Sequence, residues 1–387
     1  MAEDTQKIFN FILSEEQVLL QDMARQFFRD KVGTANLRKL RDSEDADGID
    51  RDIWQEAVEL GFAGILIPEE YGGTGFGLTG MGLVMQEAGR VLAATPLLSS
   101  SIISSLLLLQ AGSENQKQEI LPKIANGSQL VALALEESGH HNPSLVALSC
   151  IENDGGLTLN GQKTFVLDGH IADKFIVVAR SSGQSGETDG LTLCLVDASA
   201  DGLTLTRTKM VDSRNAAELQ FENVQISQDA IIGQIGAGHD PLEAALDKAR
   251  IALSAEVLGG IEEVFDRTLD YLKERKQFGV PIGSFQALRH RAAHMFGEIE
   301  VCRSIVAYSL SQADKQSNHL PRLASLAKAR LAETATLVTN EGLQMHGGIG
   351  MTDDVDIGLF MKRARVQSQI FGDTQFHRNR YAQISGY

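Results

Sequence analysis

Residues with chemical potential are few in this chain, and each has a plain structural reading beside the functional one. The run Tyr71-Gly72-Gly73-Thr74-Gly75-Phe76-Gly77 looks like a phosphate-binding loop. A dinucleotide fingerprint needs a strand before it, a helix after it and an acid about 20 residues on; that setting is missing here, and the run reads as a turn. His290 and His294 share one helix face, but Arg291 stands where a zinc protease would carry glutamate, and no third ligand follows at metal spacing. They read as a surface pair. Cys150, Cys194 and Cys302 lie far apart without a CxxC, which indicates neither a disulfide framework nor a zinc site. Arg275 offers a guanidinium able to grip a phosphate at two points, yet alone it reads as a solvated helix residue. Gly347-Gly348 alone reads as a helix C-cap. Asp373 is either a carboxylate that accepts a proton or a turn residue. For His140-His141 a plain loop and a reshaped pocket both stand open.

The elements that must position these residues follow from hydrophobic periodicity. Residues 1–128 read as a helical domain. Ser14 with Gln17 fits a capping box, and Leu19, Leu20, Met23, Ala24, Phe27 and Phe28 form one apolar face behind it. Residues 51–66 repeat that pattern and end at Pro68. Over 129–238 the period changes to two, in short apolar runs separated by turn residues, which predicts an antiparallel sheet or small barrel. Asn160-Gly161 between two such runs predicts a hairpin turn. From 239 to 387 the chain is helical again, with long periodic stretches at 241–275, 284–314 and 321–346 and a last helix over about 354–370.

Composition narrows the function classes. The 387 residues carry 35 Lys and Arg against 51 Asp and Glu, a net charge of −16, which repels a phosphate backbone and argues against nucleic-acid binding. The N-terminus has acids and no basic-then-apolar order, so it does not read as a signal peptide. Leu97 to Gly112 is broken by five serines and is too short to span a bilayer; it reads as a buried helix. A cytoplasmic location is expected.

Three longer motifs carry a resemblance. Glu59-Leu-Gly-Phe-Ala-Gly-Ile-Leu-Ile-Pro-Glu-Glu-Tyr-Gly-Gly73, Arg275-Lys-Gln-Phe-Gly-Val-Pro-Ile-Gly-Ser-Phe-Gln286 and Gln344-Met-His-Gly-Gly-Ile-Gly-Met-Thr352 resemble the acyl-CoA dehydrogenases over nearly the whole chain. The resemblance implies an α+β fold: an N-terminal helical domain, a middle antiparallel β domain and a C-terminal four-helix bundle, assembled as tetramers. It implies FAD as cofactor, an acyl-CoA thioester as substrate, and an electron-transfer flavoprotein or similar acceptor. In that chemistry a carboxylate removes the α proton while the β hydrogen leaves as hydride to the flavin. Hydrogen bonds polarise the thioester carbonyl, and the base works best with a raised pKa in a dry pocket.

The resemblance further implies that each flavin is shared by two subunits, and the two halves differ here. The half lent to a neighbour matches: Arg275 toward the pyrophosphate, Phe278 and Gln286 toward the adenine, and Gln344, Gly347 and Gly348 in a loop where backbone approaches the cofactor. The half that would hold this chain's own flavin ring departs. Leu135-Glu136-Glu137-Ser138-Gly139-His140-His141-Asn142 stands where the family has Thr-Glu-Pro and Ala-Gly-Ser-Asp, and Phe165-Val166-Leu167 replaces Trp-Ile-Thr. The family's aromatic-Glu-Gly-Thr is here Phe371-Gly372-Asp373-Thr374, with glycine in the base position. Thr374 keeps its cofactor-side place, and Asp373 is the substitute base. A second branch carries its glutamate before the arginine of the long helix, but Ala249 precedes Arg250; Arg250 is expected to border the acyl or CoA pocket. Phe371-Gly372-Asp373 also resembles the small subunits of two-gene dehydrogenases such as pimeloyl-CoA dehydrogenase. Three readings follow: a self-sufficient enzyme using Asp373, a subunit completing the flavin site of a glutamate-bearing partner in a heterotetramer, and a non-catalytic structural relative. Retention of the lent half with erosion of the owned half favours the second.

Overall fold

The computed structural model describes residues 13–153 and 155–387. Its N-terminal helices include Glu15–Phe27, Gly33–Asp42, Arg51–Glu59, Gly77–Arg90 and Glu114–Ala125. The Ser14 capping box forms as the spacing predicts, with the Gln17 amide donating to the Ser14 hydroxyl at 3.2 Å and the Ser14 amide to the Gln17 side chain at 3.0 Å. The serine-broken apolar stretch is a helix, buried from Leu97 to Leu108, that begins as a π-helix, Leu97–Ser104, and continues as an α-helix, Ser105–Ala111. Ser99, Ser104 and Ser105 donate to protein carbonyls, as in Ser104 Oγ to Val131 O at 2.8 Å, and Ser100 Oγ accepts from the Val131 amide at 3.1 Å. Among the described residues no helix is long and apolar enough to cross a membrane.

The middle domain is an eight-stranded sheet: β1 Val131–Ala134, β2 Ser149–Asn153, β3 Gly156–Leu167, β4 Lys174–Arg180, β5 Leu191–Asp197, β6 Leu203–Lys209, β7 Asn215–Ile226 and β8 Ile231–Ile232. The order is β6-β7-β3-β2-β4-β5-β8, and β1 pairs with β4. Most pairs are antiparallel; β1 runs parallel to β4, and β2 meets β4 in one parallel pair. The alternation of a strand sorts β1 and β4 onto two cores. Val131, Leu133, Ile176 and Val178 face a core shared with the helices, while Ala132, Ala134, Phe175, Val177 and Ala179 face the interior of the β domain.

Asn160-Gly161 is not a hairpin turn. Residues 156–167 form one continuous strand, and the register against β7 slips between Leu159 and Gly161. The dipeptide is a β-bulge: Gly161 takes φ +139°, and a Cβ there would lie 2.9 Å from Leu148 Cα. A bulge and a tight turn both select residues that tolerate positive φ, so the same letters serve either.

The C-terminal domain packs helices His239–Glu274, Gln286–Asp314, Leu320–His346, Ile357–Gln369 and Thr374–Ile384. The first of these crosses Gly77–Arg90 at very short range. A Cβ on Gly89 would sit 2.0 Å from Glu256 O, and one on Gly259 would sit 1.8 Å from Gln86 O. The last helix was not read from the sequence. Between it and Ile357–Gln369 lies the turn that carries residues 370–373.

Candidate functional site: two unequal halves of a flavin site

The turn at Phe371-Gly372-Asp373 is held from several sides. Phe371 O accepts from Arg250 Nε at 3.1 Å and from His377 Nε2 at 3.0 Å. Lys328 Nζ donates to Gly372 O at 3.1 Å and Gln367 O at 2.8 Å. Burial, with Arg250 nearby, pushes the Lys328 ammonium down to about 7. Burial likewise drives His377 far below its ordinary value, so it stands as a neutral ring. Gly372 has φ +111°, and a Cβ built on it would meet Phe376 at 2.6 Å, His377 Nε2 at 2.7 Å and His141 at 3.2 Å. The space beside the base position is filled by three rings.

Asp373 is the N-cap of Thr374–Ile384: its Oδ1 accepts from the Phe376 amide at 2.8 Å. The geometry therefore realises the turn reading of this carboxylate, with one oxygen spent on the helix end. Asp373→Asn is expected to leave stability almost unchanged, because asparagine caps equally well, while Asp373→Ala lowers it by about 1 kcal/mol. A urea melt of the two variants checks this. Thr374 follows as the first helical residue, half-buried.

Arg250 does not border an open pocket. It is wholly buried, and protein acceptors occupy its guanidinium. Besides Phe371 O these are Asp247 at 2.9 Å, Glu243 at 3.1 Å and His141 Nε2 at 3.0 Å. His141 accepts at Nε2, so its Nδ1–H faces the carboxylate of Glu136. Burial holds the imidazole below its ordinary value although Glu136 opposes this. Burial alone would raise the Glu243 carboxyl, but Arg250 and Arg380 outweigh it and hold it at about 2. Residues 243, 247 and 250 are spaced four and three apart, so the helix places them on one face; that spacing is the sequence signal that would have found the cluster. Arg250→Ala leaves buried carboxylates unpaired and is expected to cost about 3–5 kcal/mol, read as a lowered urea midpoint. The Glu243 contribution is complete above its ordinary value of 4.5 and is lost as pH falls from there toward about 2. An acid titration of wild type should show that loss, and Arg250→Ala should blunt it.

Beside this cluster an apolar slot is lined by Leu133, Leu135, Phe165, Leu167, Ile370 and Phe371, with Ser99, Ile103 and Glu136 at its margins. Its volume is about 20 Å³, room for a single water. Phe165 sits at φ +53° where β3 bulges between Lys163 and Val166, and together with Leu167 it closes the slot. Ser99 Oγ donates to the half-buried Asp168 at 2.6 Å. Asp168, Glu243, Asp247, Lys328, His377 and Arg380 were not singled out in the sequence.

The other half has the opposite character. Arg275 ends the helix His239–Glu274 and is exposed, and its side chain has no ion-pair partner among the described residues. A two-residue hairpin follows, Lys276–Gln277 against Val280–Pro281. At its tip Phe278 has φ +52° and is 92% exposed, its edge against Phe285 with 6.2 Å between centroids. Gln286 opens the next helix, Gln344 lies in the last turn of Leu320–His346, and both are exposed. Gly347 and Gly348 are exposed, and a Cβ on either would meet nothing within 4 Å. Their backbone faces open space. The two ends meet where the Tyr271 hydroxyl donates to His346 O at 3.3 Å, one helical turn before Arg275.

The remaining candidates are structural. His290 and His294 are exposed, and no group of His, Cys, Asp and Glu among the described residues could hold a metal. The glycine-rich run 71–77 is a turn leading into Gly77–Arg90, closed by backbone bonds such as Phe76 N to Ile65 O at 2.8 Å.

This architecture, a sheet domain between two helical domains, is that of the flavin-dependent acyl-CoA dehydrogenases. Family profiles for the acyl-CoA dehydrogenase N-terminal, middle and C-terminal domains match residues 14–128, 132–224 and 236–385. The chain is 27% identical over 375 residues to the short/branched chain specific acyl-CoA dehydrogenase, mitochondrial, of Bos taurus, covering 95% of this chain and 85% of that protein. It superposes on the Tcur3481-Tcur3483 steroid ACAD with a TM-score of 0.86 at 30% identity, covering 96% of this chain and 98% of that one. It shares its fold with the FAD complex of PigA, at a TM-score of 0.90 and 23% identity over 98% and 99% of the two chains. The chain belongs to the acyl-CoA dehydrogenase family, an oxidoreductase family whose cofactor is FAD. Its residues fit that cofactor unequally. Among the described residues the side chains of Arg275, Gln286 and Gln344 have no hydrogen-bond or ion-pair partner, and with the open 347–348 backbone they would be the donors to a dinucleotide pyrophosphate and adenosine. The slot under Phe165 and Leu167 is lined mostly by apolar side chains and presents few hydrogen-bonding groups to a flavin ring.

Proposed function

We propose that this chain is the non-catalytic half of a two-chain acyl-CoA dehydrogenase. It lends Arg275, Phe278, Gln286, Gln344 and the 347–348 backbone to an FAD whose ring lies in a partner chain. The partner supplies the glutamate that removes the α proton from the acyl-CoA thioester. When bound there, FAD supplies the hydride acceptor, and an electron-transfer flavoprotein or similar acceptor discharges it. The observation that carries the reading is Gly372: the base position has no side chain, and His141, Phe376 and His377 occupy the space one would need. Support also comes from the open donor surface, which has a use only against a neighbour's cofactor, and from the 30%-identical steroid ACAD named as a pair of chains.

The reading of Asp373 as an independent base finds less support, because its carboxylate caps a helix and is absent from the slot lining. The test is dye reduction with a panel of acyl-CoA esters, run on this chain alone and on the chain co-expressed with a glutamate-bearing family member. Turnover is expected only from the pair. Rapid turnover by the single chain, abolished by Asp373→Asn, would overturn the proposal.

A further inference from the structure

We infer that Tyr271 is a positioning residue that locks the two arms of the donor surface into one rigid unit; the inference rests on reading Arg275 and the 347–348 loop as that surface. His346 ends its α-helix and caps the 3-10 helix Gly347–Met351 that follows. Tyr271 donates its hydroxyl to His346 O at 3.3 Å and stacks its ring on His346 with 4.4 Å between centroids and 23° between planes. His346 is itself buried and fixed, its Nδ1–H donating to Gly342 O at 2.7 Å. Immediately beyond, Gly347 takes φ +64° and ψ −142°, and both glycines stand free of any neighbour. The pair opens the 3-10 helix Gly347–Met351. The clamp at Tyr271 fixes the point from which the loop departs.

The same residue fixes the other arm. The Arg275 amide donates to Tyr271 O at 2.8 Å, so the arginine leaves its helix one turn beyond the clamp. The Ile282 amide donates to Arg275 O at 2.8 Å and ties the 276–281 hairpin to the same point. Guanidinium and glycine amides are thereby held in a set relation before any ligand arrives, which spares the ordering cost on binding. A dinucleotide pyrophosphate with its adenosine spans both arms; a flavin mononucleotide, which lacks the adenylyl group, presents only its single phosphate.

That difference supplies the test. The flavin-bearing assembly, with its partner if one is required, is stripped of flavin and titrated with FAD and with FMN. Tyr271→Phe keeps the stack and deletes the hydroxyl bond, and should raise the Kd for FAD by about 2–10-fold with a smaller change for FMN. Tyr271→Ala should do at least as much, and if it fails to fold the phenylalanine variant decides. Unchanged FAD affinity in Tyr271→Phe, or equal losses for FAD and FMN, overturns the positioning role. Arg275→Ala is the control: unchanged FAD affinity there overturns the donor-surface reading itself, whereas a loss with Arg275→Ala beside an unaffected Tyr271→Phe overturns this inference alone.

Discussion

Arg275→Ala is expected to lower FAD retention by about 10-fold or more at limiting cofactor, because a charge-assisted bond contributes about 1.5–3 kcal/mol. The side chain is exposed and has no ion-pair partner among the described residues, so its removal breaks no contact that the fold uses. Stability should therefore stay within about 0.5 kcal/mol of the parent, as for other surface changes. Loss of flavin without loss of stability separates a cofactor contact from a structural one. Flavin absorbance after extensive dialysis, beside a urea melt of the same samples, measures both. Full flavin occupancy in Arg275→Ala would remove the arginine from the cofactor surface.

Gly372→Glu restores the family's base in letters and is expected to destabilise the chain without activating it. The first side-chain carbon would come within 2.6 Å of Phe376 and 2.7 Å of His377, contacts that real Cβ atoms do not make. Overpacking of this kind costs about 1–3 kcal/mol, and a non-glycine residue at φ +111° adds strain of about 1–3 kcal/mol. A new carboxylate would also enter beside His141, whose ring is already engaged between Glu136 and Arg250. The measurement is a denaturant midpoint together with acyl-CoA-dependent dye reduction. A stable Gly372→Glu variant that oxidises acyl-CoA by itself would show that only the missing carboxylate separates this chain from a complete enzyme.

Much of the architecture was written in local pattern. Capped, amphipathic segments such as Glu15–Phe27 announce themselves, and the change of period near Gln129 follows from strands whose residues alternate between two cores. Asn160-Gly161 misled because a bulge and a hairpin turn ask for the same backbone freedom. The helix Thr374–Ile384 was missed because its sequence, TQFHRNRYAQI, lacks an apolar stripe. It holds its place through His377 and through Arg380, which reaches Glu243 at 2.7 Å and Asp247 at 2.9 Å.

The departures at the site were legible, since Gly372, Leu167 and Ala249 differ from the family in type. What fills the space they leave was not. His141 comes from the loop after β1, more than 200 residues from Gly372 in sequence, and only tertiary packing shows that its ring lies against the base position. Arg250 shows the same limit. Its identity suggested a ligand contact, while the Asp247 and Glu243 carboxylates, the Phe371 carbonyl and the His141 imidazole make it the hub of a buried network.

The central claim is that one flavin is built by two unlike chains, and counting flavin against protein tests it most directly. The chain is purified alone and after co-expression with a glutamate-bearing family member, and FAD released on denaturation is divided by chain concentration. The pair is expected to hold one FAD per two chains, and the chain alone to be colourless or far below one FAD per chain. A single-chain preparation with one FAD per chain would contradict the account and return the ring-binding half to this subunit.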